Sequence, residues 1–459
     1  MNFDTKKGEE AMDTRKMIAV AAISICAAIP VAANAAVGTV DVNGVTWTVN
    51  TNPMTKTATL GNGSSACIAT ATSIDASLIP WTFTVGEGDD AIEYTVTAIA
   101  EKAFDACSKL AGTLTIPDAV TSMGKYAFRG CSTLTCLASL GGVTTLEEEV
   151  FCNDSGLQGS DYPDLSKIKV LGKNVFKQCS MGGKVRLDSI SGSMSAENAF
   201  VYAAITNISF PRAAFSISGQ WVFGHCKKLT GVFLPGPDSE GASLIRRSNF
   251  FNDCTSLKVF LAGPRTGIHT LYGGDDTTMF AYVTGCRIFV PAGDLTLPDP
   301  TYYCSWDNLD DYVSGQTIIH YGSGRELDLS FNHDARMITA TPATAHAFTN
   351  VLAAASTIKD VFGYDTRINV TNALEIAAGS VTAAELVGVT FDSLTFAVKT
   401  QAQLDTVLAA VPAETPLAID PEGATENLMI TTVDRKIYVM LPKSGTYKVR
   451  KDGLIIIVQ

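Results

Sequence analysis

The chain has 459 residues, 46% of them hydrophobic and 17% charged, with a net charge of −12 from 34 Lys and Arg against 46 Asp and Glu. That is too apolar for a disordered chain and long enough for two or three domains or one extended repeat array. An acidic balance without a basic cluster excludes nucleic acid, whose affinity rests on cations neutralising phosphates, and a polybasic membrane-surface patch.

Arg15 and Lys16 precede an apolar run from Met17 to Ala32, and Ala33-Asn34-Ala35 puts small residues where a signal peptidase cuts. Residues 1–35 therefore read as a signal peptide cleaved after Ala35. The run is shorter than the roughly 20 residues a membrane span needs. Ile25 occupies the position before Cys26 where lipidation wants a small residue, and Met12 is an alternative start. No later apolar stretch is long enough to span, so the expectation is an exported protein, secreted or held at the cell surface, without a transmembrane span once the leader is removed.

Residues 36–94 carry Thr- and Val-rich runs (GVTWTVN, TKTATLG, IPWTFTV) separated by Gly and Asn turns, the pattern of short strands. Their expected role is an N-terminal β cap over whatever apolar end follows. From there a period dominates. Phe104, Phe128, Phe151, Phe176, Phe200, Phe223, Phe250 or Phe251, and Phe280 recur every 23 to 29 residues. Cysteine follows three residues later in Phe104/Cys107, Phe128/Cys131, Phe176/Cys179, Phe223/Cys226 and Phe251/Cys254.

Each unit opens with a few apolar residues ending in proline, as in Leu114-Thr115-Ile116-Pro117, Ile208-Ser209-Phe210-Pro211, Val232-Phe233-Leu234-Pro235 and Ile288-Phe289-Val290-Pro291. Alternation over so few residues is a short strand with one buried face, stopped by a residue that cannot donate to the next ladder bond. Apolar positions three or four apart then predict a turn and a short helical or 3₁₀ segment returning on the opposite side. One such unit cannot bury its own apolar side but a stack can, so the units form a solenoid. The phenylalanines become its interior ladder and the cysteines small buried fillers beside them.

Ile116, Pro117, Val120, Met123, Gly124, Ala127, Phe128, Cys131 and Leu134 together resemble the consensus I-P-x-x-V-x-x-I-G-x-x-A-F-x-x-C-x-x-L of the BspA-like leucine-rich-repeat proteins of bacterial surfaces. The resemblance covers about 95 to 291, with a closing segment at IFVPAG and WDNLDDYV, and bounds the solenoid at 95–324. It implies a leucine-rich-repeat fold and, functionally, adhesion. Glu147 stands where glycine is expected, the cysteine of the Phe151 unit has moved to Cys152, and the Phe200 unit has none, so irregular rungs are expected between about 147 and 205.

After Gly315 the composition shifts. ATAHAFTNVLAAAS and QAQLDTVLAAV read as helices and NLMITTV, KIYVMLP, GTYKV and GLIIIVQ as strands, an α+β domain over 325–459 with YGSGRE as the junction. The closing LPKSG is close to a sortase signal but lacks the apolar span and basic tail that would follow one, and the end of the chain also resembles C-terminal tails that direct surface sorting in some outer-membrane bacteria; a terminal hairpin is the plainer reading.

An even cysteine count in an exported chain suggests disulfides. Here the spacing follows the repeat and parallel Cβ vectors suit bridging poorly, which favours buried thiols. Metal motifs are missing: there is no C-x-x-C or H-x-x-x-H, His225 fills a repeat slot, and the acidic DDT (275–277) and DNLDDY (307–312) lack calcium-loop spacing. No G-x-S-x-G or phosphate-cradling loop occurs, so neither a catalytic residue nor a cofactor is expected.

One feature points outward. Placing Val232 and Leu234 inward turns Phe233 out, and the same phase sends out Phe260 and Phe289, where earlier rungs have Thr115, Arg186 and Ser209. This column is either a contact surface for a protein or glycan partner or the seat on which the C-terminal domain docks. The expected function is non-catalytic recognition at the cell surface. The alternatives are a secreted hydrolase with its chemistry in 325–459 and a structural envelope component that self-associates through its end rungs.

Overall fold

The computed structural model describes residues 36–459 apart from 69–72, 158–163, 239, 247–248, 271–278, 294–302, 305, 307–308, 310–314, 372–373, 377–379, 387–392, 414, 432–437, 442–444, 451–454 and 458–459. The expected leader over 1–35, the DDT stretch and most of DNLDDY lie outside the described residues.

The chain enters through a hairpin of Ala36–Val42 and Val45–Asn52. Asn43 and Gly44 make its two-residue turn with φ of 55° and 75°, the primed turn whose twist matches the strands it joins. Thr57–Leu60, Ile92–Ile99 and Thr82–Val85 extend this sheet, and Ser122–Met123 of the first full repeat adds to Ile92–Ile99 in parallel. The N-terminal sheet is thus hydrogen-bonded to the solenoid. Trp47, fully buried, sets its indole edge-on to the Phe104 ring at 6.4 Å and closes the first end of the stack.

Inside, the phenylalanines form one spine. Successive ring centroids from Phe104 through Phe128, Phe151, Phe176, Phe200, Phe223, Phe251 and Phe280 are 4.8, 5.6, 5.5, 5.4, 5.0, 5.7 and 5.7 Å apart, with interplanar angles no larger than 23°. The spacing is that of the rungs themselves, so each ring lies flat on the next. The spine stays regular through Phe151, Phe176 and Phe200, because the phenylalanine and the turn around it are kept even where the cysteine is not; the irregularity of these middle rungs lies on the strand side, where Leu134–Leu140 and Gly182–Arg186 belong to different sheets.

The return segments are turns, not helices. In each, the residues two before and two after the phenylalanine take left-handed φ: Lys102 and Ala106, Tyr126 and Gly130, Glu149 and Asn153, Asn174 and Gln178, Asn198 and Tyr202, Trp221 and His225, Asn249 and Asp253. Backbone N–H groups at these and the phenylalanine positions donate to carbonyls of the following rung, as Phe104 does to Ala127 at 2.7 Å and Phe128 to Val150 at 3.0 Å. A helix would have consumed those donors within the rung; the left-handed residues turn them along the solenoid axis instead. Gly124 and Gly172 complete the close packing, since a Cβ would come within 2.4 Å of Glu101 N and 2.6 Å of Glu147 C respectively.

The strand side begins as Leu110–Ile116 and Leu134–Leu140. It resumes at Gly182–Arg186 and runs through Ala204–Ser209, Gly231–Leu234, Val259–Ala262 and Arg287–Pro291 to Thr317–Tyr321, all parallel. A second parallel ladder, Gly192–Ser195, Phe215–Ser218, Ser243–Arg246 and Thr266–Thr270, forms another side.

The main sheet does not stop at the expected junction. Thr317–Tyr321 pairs with Leu327–Asn332, and the sheet continues through Met337–Pro342, Asp365–Asn369, Leu394–Ala397, Leu417–Asp420 and Tyr447–Val449 to Ile455–Ile457, thirteen strands in all. Met337–Pro342 to Leu417–Asp420 are again mutually parallel. Their crossovers carry helix α1 (Ala345–Thr357), capped by the Thr344 hydroxyl, and helix α2 (Gln401–Ala410), opened by a capping box between Thr400 and Gln403. A five-residue π turn, Ile358–Phe362, follows α1 and ends at left-handed Gly363.

Candidate functional site

The outward face of the main sheet changes character along the solenoid. In the second half of Leu110–Ile116 burial alternates, with Thr113 and Thr115 exposed and Leu114 and Ile116 buried. In Gly231–Leu234 and Val259–Ala262 every residue is buried. A parallel strand covered on both faces reads as a continuous apolar run rather than an alternating one, which is the step from TLTIP to VFLP and VFLA.

Register decides what lies in the outward column. Val232 pairs with Phe260 and Phe233 with Leu261, which in turn pairs with Phe289. The column is therefore Phe233, Leu261 and Phe289. Phe260 faces inward, packed edge-on against Phe251, Phe280 and Trp306 at 5.7, 5.3 and 5.5 Å. The expectation of Phe260 on the outside is corrected: Val259-Phe260-Leu261 is apolar throughout and gives no phase by itself.

Nor is the column open to solvent. Phe233 sits 4.8 Å from Phe362, 5.2 Å from Tyr364 and 6.4 Å from Phe331, centroid to centroid. Phe233, Val259, Leu261 and Phe289 belong to the same core as Val351, Leu352, Ile368 and Phe396 of the C-terminal region, distinct from the core of the phenylalanine spine. Phe233 is 2% and Phe289 1% exposed, so the expected exposed contact surface is instead a seat for α1 and the turn after it.

Beside this seat a cleft of about 520 Å³ opens between the solenoid strands and α1, lined by Asn207, Thr230, Lys258, Arg287, Asp360 and Glu385 among others. Its charges are largely committed. Arg287 donates to Glu385 at 2.8 Å and to Asn350 Oδ1 at 3.1 Å. The Thr382 backbone N–H, then its hydroxyl and the Arg287 guanidinium, hold the Glu385 carboxyl below the usual carboxylate range. Lys184 donates to the Asp360 carbonyl across the same seam. A carboxylate fixed in its charged form by three donors is suited to clamping two elements and unsuited to delivering a proton. Nearby, His333 Nδ1 lies 2.8 Å from the Tyr364 hydroxyl, and burial lowers its pKa.

The ladder cysteines have a use that their spacing did not reveal. Each Sγ–H donates to the carbonyl of the preceding rung's phenylalanine: Cys131 to Phe104 at 3.1 Å, Cys179 to Phe151 at 2.8 Å, Cys226 to Phe200 at 3.1 Å and Cys254 to Phe223 at 3.1 Å. Cys107, the corresponding residue of the first rung, and Cys136 are half-buried, whereas Cys67, Cys152 and Cys286 are buried, and all five are free thiols. Burial pushes the Cys131, Cys179 and Cys226 thiols well up and that of Cys152 to about 11.

In the Phe151 rung the slot belongs to Asp154. This fully buried carboxyl accepts the Cys131 N–H at 2.7 Å through Oδ1 and leaves Oδ2 without a partner. Desolvation raises its pKa well above the ordinary value. Asp154 occupies the place, three residues after the phenylalanine, that other rungs give to the ladder thiol. The sequence signal was the three-residue offset from Phe151, obscured by the adjacent Cys152.

His225, weighed as a metal ligand, bonds through Nδ1 to Asp253 Oδ2 at 2.7 Å. Among the described residues no group of three metal-capable side chains converges, and no helix is long and apolar enough to cross a membrane.

Residues 91–189 and 165–264 match the model of the BspA type leucine rich repeat region, in six copies. Two solved structures are similar. One is a leucine-rich repeat protein from Bacteroides ovatus, 14% identical over 79% of this chain and 92% of that one, with a TM-score of 0.29. The other is a leucine rich cell surface protein from Faecalibacterium prausnitzii, 16% identical over 55% of this chain and 89% of that one, with a TM-score of 0.32. No curated protein matches.

Proposed function

We propose that this chain, whose residues 91–264 are a BspA-type leucine-rich repeat region, is an exported, non-catalytic recognition protein displayed at the cell surface, with residues 1–35 as its leader. The observation that carries this reading over a structural envelope component is the closure of both ends of the spine. Trp47 covers Phe104 at one end. At the other, the last ring, Phe280, is buried against Phe260, Trp306 packs on Phe260 in turn, and the Tyr321 hydroxyl donates to the Ala262 carbonyl at 2.7 Å, with the C-terminal strands continuing from there. A solenoid that polymerises through its end rungs needs an open end, and capping of both ends supports a chain that acts on its own.

Recognition then falls to sides other than the seat under α1. The committed Arg287–Glu385 ion pair of the cleft favours a binding protein over a hydrolase. The test is antibody labelling of intact cells producing the full chain, set against a chain lacking residues 1–35. Labelling only with the leader present supports the proposal; a full-length chain that stays inside the cell overturns it. Light scattering of the purified chain adds a second arm, a concentration-independent monomer being expected and growing rods favouring the structural alternative.

A further inference from the structure

The left-handed positions on the turn edge are where this chain departs most from what its own backbone prefers. Asn153, Asn174, Asn198, Asn249 and Gly130 fill them in several rungs, and asparagine and glycine are the residues that tolerate this conformation. Yet Tyr202 (φ 62°), Trp221 (φ 59°) and His225 (φ 58°) hold three such places in adjacent rungs. Lys102, Ala106, Tyr126, Glu149, Gln178 and Asp253 also occupy such places, so the backbone strain is shared along the repeat; what sets these three apart is that their rings stack on one another. The spine inside does the packing; these rings stand outside it.

Their geometry is specific. The Tyr202 and His225 rings stack at 4.5 Å with planes 7° apart, and Trp221 stacks with His225 at 5.0 Å, also at 7°. Room for the indole comes from Gly224, where a Cβ would lie 2.7 Å from Trp221 Cε3. Asp253 fixes the imidazole through Nδ1, and Lys227 Nζ lies 3.4 Å from the same carboxylate. Tyr202 remains 52% exposed. The result is a column of three parallel rings stacked through His225, with Tyr202 exposed and a hydroxyl, a carboxylate and an ammonium beside it.

We propose that Tyr202, Trp221 and His225, with Asp253 and Lys227 at the rim, form a binding site for neutral oligosaccharides. This rests on the recognition reading above and names its ligand class. A pyranose ring offers an apolar C–H face that lies flat on an aromatic ring and equatorial hydroxyls that reach the polar rim, and tyrosine and tryptophan anchor such contacts at low entropic cost. The other flat ligands fit less well. A nucleobase would bring phosphates toward Asp253 on a chain of net charge −12, and a cationic ligand seeking an aromatic face would meet Lys227, itself 63% exposed.

The test uses the whole chain from residue 36 onward and follows tryptophan emission, to which Trp221 contributes, while maltohexaose, cellohexaose, xylohexaose and mannohexaose are titrated, with a heparin hexasaccharide and an oligothymidylate alongside. At least one neutral oligosaccharide should bind, and Tyr202→Asn should weaken it by at least about tenfold, as expected of a central aromatic anchor. For Trp221→Asn the same loss is read by calorimetry. Because asparagine suits a left-handed φ, both variants should unfold at urea concentrations equal to or above that of the parent. Unchanged affinity in both variants, binding of the heparin fragment or oligothymidylate only, or no binding by any neutral member overturns the site. Surface labelling of cells is unaffected by these variants, so failure here and failure of the export reading are separate results.

Discussion

Phe233 of the repeat region and Phe362 of the turn after α1 meet with ring centroids 4.8 Å apart and planes at 31°. They join a strand that the repeat alone would have left half-exposed to a region that shares its sheet. Both are buried, and neither belongs to the spine.

Truncating that contact should cost what a buried ring costs. Phe233→Ala is expected to lower the unfolding free energy by roughly 3–5 kcal/mol, from lost transfer energy plus the cavity left behind. Thr115→Ala, at the equivalent outward place of an uncovered rung, should change it by no more than about 0.5 kcal/mol. Urea denaturation of the two variants checks the contrast.

The Arg287–Glu385 bridge across the cleft, 2.8 Å with side chains 26% and 33% exposed, should contribute modestly. A double-mutant cycle with Arg287→Met and Glu385→Gln is expected to give a coupling of about 0.5–1 kcal/mol, shrinking as salt rises. A coupling several times larger would show that the cleft is far drier than its open lining implies.

Asp154 predicts a pH dependence. Its folded pKa is raised by burial above the unfolded value near 3.9, so the native state binds the proton more tightly and stability falls as pH rises from about 4 toward the folded pKa. Asp154→Cys, which restores the repeat's own donor, should flatten that slope and be more stable than the parent at neutral pH. The check is chemical denaturation at a series of pH values. A parent slope equal to the variant's would mean that the carboxyl is charged in place.

Thiol accessibility should follow the ladder. Cys107 and Cys136 are half-buried, while Cys131, Cys226 and Cys254 are fully buried with their S–H groups donating to carbonyls. A maleimide mapped by mass spectrometry should label Cys107 and Cys136 in the native protein and the other three only in denaturant. Early labelling of Cys226 would mean the rungs open locally.

The spine was legible because one residue type at one spacing admits one explanation: Phe104 to Phe280 repeat at the period of a unit too small to bury itself. The return segments are not fixed by the pattern alone, since apolar residues three or four apart suit a helix and a pair of turns equally. What distinguishes them is the left-handed residue, visible only as scattered Asn and Gly (Gly130, Asn153, Asn174, Asn249). Phe260 was misplaced because Val259-Phe260-Leu261 carries no alternation, and the missing alternation was itself the sign that the strand is covered on both sides. Asp154 was hidden beside Cys152, and the pairing of Phe233 with Phe362 joins residues too far apart in sequence for any local pattern to show.

The central claim is that the repeat region and the C-terminal region are one cooperative body. All α-helix among the described residues lies in α1 and α2, whereas the four tryptophans, Trp47, Trp81, Trp221 and Trp306, lie before residue 317 where the last solenoid strand starts. Urea unfolding of the chain followed at once by far-UV ellipticity and tryptophan emission therefore reports the two regions separately. Coincident transitions with one midpoint are predicted; helix lost at lower urea while tryptophan emission stays native would contradict the account.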